Sequence, residues 1–113
     1  MVATKYTPRR GDIVWIDFDP TKGHEQSGRR PAIVVSPEAY NKLSSRALFC
    51  PITLTSKGYI FEVVLEGRDI TGAILVDQIR TMDWSKRRIA FIEKSPLASM
   101  DEVEAKLLTL IRQ

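Results

Sequence analysis

Cysteine and histidine are almost missing from this chain. Its 113 residues hold one of each, Cys50 and His24. A disulfide framework and a four-ligand zinc site are therefore excluded within one chain, and a metal enzyme would need carboxylates alone. No apolar run approaches the roughly 20 residues of a membrane span, and residues 1–5 lead into no hydrophobic signal core. The expectation is a cytoplasmic protein with no membrane partner, no metal and no cofactor. Neither GxGxxG, GxxxxGK[ST], GxSxG nor HExxH occurs. Nucleotide-dependent phosphoryl transfer, serine hydrolysis and zinc peptidase chemistry thus lose their usual carriers.

What is present is an ordinary globular balance, 43% apolar and 27% charged. The length argues for one domain over residues 1–113, because two halves would each be too small to stabilise a core. Seventeen basic residues against 14 acidic give a net charge of +3, mild by itself. The distribution says more: Arg9-Arg10, Arg29-Arg30 and Lys86-Arg87-Arg88 are clusters. On one face they would form a groove for a phosphate backbone; scattered, they are only a solvated surface.

Glycine and proline punctuate short apolar segments. Residues 12–18 alternate Val14, Ile16 and Phe18 against Ile13, Trp15 and Asp17, the period of a half-buried strand. Residues 19–30 read as a long polar loop, 32–35 as a strand buried on both faces, and 37–42 as a short helix with Pro37 in its first turn. Pro51 predicts that the strand at 47–53 lies at an edge or bulge. Alternation over 59–66 marks the clearest strand. Further strands are expected at 73–76 and 88–92, with 78–84 ambiguous. Ser99-Met100-Asp101-Glu102 has the form of a capping box, followed by an apolar stripe of Met100, Val103, Leu107, Leu110 and Ile111. The expected architecture is mainly β (α+β): a small antiparallel barrel or sheet with short helices and a C-terminal amphipathic helix packed on the core.

Residues 22–31 concentrate reactive groups. Within seven positions, His24 to Arg30, a Gly-flanked loop offers an imidazole, a carboxylate, an amide and two guanidiniums, then enters the buried strand. Polar groups on a loop anchored by a strand are a common way to build a site. A solvated loop with an internal Glu–Arg pair is the plainer alternative.

The run Gly11-Asp12-Ile13-Val14-Trp15-Ile16-Asp17-Phe18-Asp19-Pro20, with Gly23, Glu25-Gln26, Gly28, Arg30-Pro31-Ala32 and Val34-Val35-Ser36, resembles the MazF/PemK toxins of bacterial toxin–antitoxin systems. The resemblance continues through Pro51-Ile52-Thr53, Ser56-Lys57-Gly58-Tyr59, Phe61-Glu62-Val63 and Gly72-Ala73-Ile74-Leu75-Val76-Asp77-Gln78, and weakens after about Trp84. It implies an SH3-like barrel that forms a homodimer. It also implies a metal-independent endoribonuclease that cuts single-stranded RNA, chiefly mRNA, at short sequences and arrests growth. The implied partner is a cognate MazE/PemI-like antitoxin with an acidic C-terminal segment that blocks the RNA site.

Without a metal, such an enzyme uses the RNA's own 2′-hydroxyl as nucleophile. Glu25, Arg30 and Thr53 fall on the family's motif positions for that chemistry. Glu25 is the general base, if partial burial raises its pKa. Arg30, permanently charged and bidentate, stabilises the phosphorane, and Thr53 donates to a phosphate oxygen. The general acid stays open, since a guanidinium parts with its proton reluctantly. His24 has a suitable pKa but falls on no required position, so it joins the RNA-contacting candidates. These are His24, Gln26, Arg29, Lys57, Gln78 and Arg80: amides for base edges, cations for phosphates. Structural hydrogen bonds are an equal alternative for Gln26 and Gln78, and an exposed turn is the plain alternative for Lys57. Asp77 would help fix the site or cap a turn. Trp15 and Tyr59 sit in strand patterns that favour core packing over base stacking, and Cys50 reads as a core residue. Two other classes compete: a non-enzymatic gyrase poison resembling CcdB, which shares the general fold, and an inactive RNA-binding module.

Overall fold

The computed structural model describes residues 6–19, 23 and 26–112. The elements run β1 (Asp12–Asp17), β2 (Arg29–Val34), α1 (Glu38–Ser44), β3 (Arg46–Thr53), β4 (Glu62–Glu66), β5 (Thr71–Leu75), β6 (Arg80–Asp83), β7 (Ala90–Lys94) and α2 (Leu97–Ile111). Single 3₁₀ turns stand at Val76–Gln78 and Trp84–Lys86. The sheet order is β4-β5-β3-β2-β1-β7, with β6 attached to β3, and every pairing is antiparallel. This is a half-barrel, open between β4 and β7, and it bears out the mainly β expectation. No helix among the described residues is long and apolar enough to cross a membrane.

Strand β2 explains its own apolar run. Its Ile33 packs with Ile13, Cys50, Ile52, Val63, Leu65 and Ile74 on one face, while Ala32 and Val34 join Val14, Ile16, Phe18, Ala47 and Phe49 on the other. Side chains alternate across a strand, so a strand buried on both faces cannot show a polar alternation. Cys50 is indeed in the core, and burial pushes its thiol up to about 12.

Four expectations need correction. First, Arg29 and Arg30 are not in the loop. They pair with Asp17 and Ile16 of β1, and Phe18 N donates to Gly28 O at 2.8 Å to close the loop before them. Second, Pro51 lies in the most heavily paired strand, not at an edge. Val35 N donates to Leu48 O, so Ile33–Cys50 is a hydrogen-bonded pair and Ala32–Pro51 is not. The missing N–H of Pro51 therefore faces the other side of β3, in the gap between the Phe49–Arg80 pair with β6 and the Ile52–Ile74 pair with β5. Third, β4 begins only at Glu62, and Trp15 and Tyr59 stand 38% and 63% exposed rather than in the core.

Fourth, the helix starts before the expected capping box. Pro96 occupies the N-cap position with no side-chain cap, its carbonyl takes the Ser99 and Met100 N–H groups, and Ser99 is buried inside the first turn. Pro37 likewise precedes α1 at the N-cap position. Of the predicted stripe, Met100, Val103 and Leu107 enter the first core, worth roughly 1.5–3 kcal/mol each. Leu110 and Ile111 run past the sheet and stay exposed. The ambiguous stretch contains β6.

Candidate active site

Two sequence-predicted residues, Arg30 and Thr53, stand on the neighbouring strands β2 and β3. The pairing of these strands ends at Ala32–Pro51. Arg30 lies two residues before Ala32 on β2 and Thr53 two residues after Pro51 on β3, so both stand just beyond that last pair, at the same end of neighbouring strands. Arg30 is held as a strand residue by Ile16, and its Nε donates to Ser27 O at 2.8 Å. That leaves the two terminal nitrogens of the guanidinium, and no carboxylate among the described residues forms an ion pair with them. Thr53 pairs with Ala73 of β5, and its Oγ1 accepts from Thr55 N at 3.3 Å. The hydroxyl proton is unspent by that bond.

Gly72 decides how closely β5 can approach. A Cβ there would come within 2.2 Å of the Thr53 carbonyl oxygen, which is backbone and cannot rotate away. Gly72→Ala is therefore expected to displace the end of β3. A melting scan should show destabilisation of about 1–3 kcal/mol.

Beside Thr53 opens a cavity of about 360 Å³. Gln26, Lys57 and Gln78, all candidates from the sequence, line it, together with Tyr59, Phe61, Leu75, Asp77 and Glu62. Gln78 Oε1 accepts from Gln26 N at 3.1 Å, so the first loop is tied to the Val76–Gln78 turn. Glu62 is a buried carboxylate at this cavity that sequence inspection did not single out. It accepts from Ser56 Oγ at 2.8 Å and from the Lys57 and Gly58 N–H groups at 3.1 Å each. Burial would raise its pKa, but these bonds and one from Tyr59 outweigh it and hold the carboxyl below the usual glutamate range.

Glu25 and His24 lie outside the described residues. Gln26, the next residue, is at the cavity. Arg80 donates from Nη1 to Phe18 O at 3.1 Å and lies 5.8 Å from the Phe18 ring centre, so it braces the root of the first loop. Arg29 Nη1 donates to Arg88 O, and Arg87 Nη1 to Asp17 O and Asp19 O at 3.0 and 2.8 Å. Two of the three basic clusters thus converge on this loop. The third does not: Arg9 and Arg10 are ion-paired with Glu38 and Glu104.

Cations lacking acid partners among the described residues, a strand-end hydroxyl and cavity-lining amides make a surface suited to phosphates and bases, the equipment of a nucleic-acid-handling protein. Comparison with known sequences narrows that class. The family described as PemK-like, MazF-like toxin of type II toxin-antitoxin system matches residues 9–111, and the chain belongs to it. Endoribonuclease toxin MazF of Escherichia coli (strain K12) is 49% identical over 86 residues, covering 76% of this chain and 78% of that one. Endoribonuclease PemK of Escherichia coli is 36% identical over 118 residues, covering 98% and 87%. Among solved structures, MazF from Deinococcus radiodurans matches with a TM-score of 0.91 and 42% identity over 95% of this chain and 98% of that chain. A MazE-MazF complex from the same organism matches at 0.83 with 38% identity, over 95% and 97%.

Proposed function

We propose that this chain, an endoribonuclease toxin of the PemK/MazF family, cuts single-stranded RNA, chiefly mRNA, by in-line attack of a ribose 2′-oxygen on the adjacent phosphorus. The bond from phosphorus to the 5′-oxygen breaks, a general acid delivers a proton to that departing oxygen, and the products are a 2′,3′-cyclic phosphate and a 5′-hydroxyl. Glu25 takes the 2′-hydroxyl proton. Arg30 supplies fixed positive charge to the pentavalent intermediate through its unspent terminal nitrogens. Thr53 donates its hydroxyl proton to a phosphate oxygen. Base, charge and hydrogen bond all come from side chains, so no metal ion is assigned a step. The observation that supports this reading is that β2 and β3, neighbours in the sheet, carry at the same end a guanidinium with no acid partner among the described residues and a Thr53 hydroxyl that borders a cavity.

Gln26, Lys57 and Gln78 line the cavity where bases would enter, and Arg29 extends the positive surface for the strand beyond it. The protein works as a homodimer in the cytoplasm, and a cognate MazE/PemI-like antitoxin silences it by laying an acidic C-terminal segment over these cations. The family match weighs against the gyrase poison resembling CcdB. The test is to incubate purified protein, free of antitoxin, with a long RNA of mixed sequence in EDTA and map the ends. Cuts at a short recurrent sequence with 5′-hydroxyl ends are expected. Intact RNA that binds with salt-sensitive affinity would favour the inactive binding module instead, and cleavage only after a divalent ion is restored would refute metal independence.

A further inference from the structure

The loop from Leu54 to Tyr59 forms one wall of the cavity, yet it has almost no hydrophobic anchor. Leu54, Tyr59 and the following Ile60 are 77%, 63% and 76% exposed. One end is tethered by the Thr55 N–H on Thr53 Oγ1. The other end is gathered around the Glu62 carboxylate, which receives Ser56 Oγ and the consecutive N–H groups of Lys57 and Gly58. Consecutive backbone N–H groups curled around an anion need a left-handed residue, and Gly58 provides it at φ +73°. Glu62 is itself fixed from the far side. Its N–H bonds Tyr59 O, and its carbonyl takes Lys106 Nζ of α2 at 3.1 Å.

We propose that Glu62 is a positioning residue for RNA binding: its buried carboxylate folds the 54–59 loop so that Lys57 and Tyr59 line the cavity beside Thr53. It touches no reacting atom. This rests on the cavity being the RNA site. Neutralising the carboxylate leaves the loop in its binding conformation only part of the time, and apparent affinity falls by that fraction.

The test compares the parent protein, Glu62→Gln, Lys57→Ala and the double variant on a short fluorogenic RNA containing the mapped cut sequence. Glu62→Gln is expected to raise KM roughly tenfold with kcat within about twofold of the parent. In the Lys57→Ala background the same substitution should raise KM less, because one of the two groups it positions is gone and only Tyr59 remains to be misplaced. Unchanged KM, a fall in kcat alone, or an effect of equal size in both backgrounds overturns the proposal. Melting curves accompany each variant. Should Glu62→Gln unfold the domain, Ser56→Ala, which removes one exposed donor, must still raise KM about two- to threefold; an unchanged KM there overturns the proposal. A parent protein that leaves RNA uncut speaks against the ribonuclease reading itself, which separates the two failures.

Discussion

Replacing Arg30 by alanine should leave a folded protein that cuts RNA about a thousandfold more slowly. Two magnitudes support that asymmetry. The side chain's described structural bond is Nε to Ser27 O, worth about 0.5–1.5 kcal/mol, so the change in melting is small. Its proposed catalytic contribution is larger, since removing one charge-stabilising donor costs about 10²–10³ in rate, and a guanidinium on a phosphoryl transition state still more. Lysine should restore only a minor part of the rate: it keeps the charge and loses the planar fork that meets two phosphate oxygens. Single-turnover cleavage with matched melting curves measures both. A variant within about tenfold of the parent would remove Arg30 from the site.

The other large effect belongs to the substrate. An oligonucleotide with one 2′-deoxyribose at the cut position should resist scission there completely, while neighbouring copies of the same sequence are still cut. The nucleophile is the atom removed, and no protein group can replace it. Binding should survive, because phosphates and base edges are unchanged, so the modified strand should inhibit with a constant near the parent KM. Cleavage persisting at the deoxy position would mean that water attacks the phosphorus, and the roles given to Glu25 and Arg30 would need rebuilding around a different nucleophile.

How much of this could be read from residues alone depended on whether the information was local. The β1 alternation and the doubly buried β2 were legible, since periodicity reports burial directly. Local cues failed where pairing overrode them. Pro51 resembles an edge residue until β3 is seen changing partners from β6 to β5 at that point. Ser99 and Glu102 have the spacing of a cap, but Pro96 starts the helix sooner. Arg30 and Thr53 were recognisable through the family motif. That they stand at the same end of neighbouring strands was not, because pairing is a property of two strands. Glu62 occupies an apparently outward position in an alternating run. Its buried role is invisible until the strand is found to begin there and the preceding loop is found to bend back onto it. The Gln78 bond to Gln26, spanning 52 positions, is equally nonlocal.

Arg30 and Thr53 ride on strands whose other residues build both cores, whereas Lys57 and Tyr59 belong to a loop outside those cores. Mutation can therefore alter the loop groups proposed to contact RNA while leaving in place the two strand residues proposed to meet the scissile phosphate. On that reading, selection can reword the recognised sequence while the proposed cutting pair stays the same.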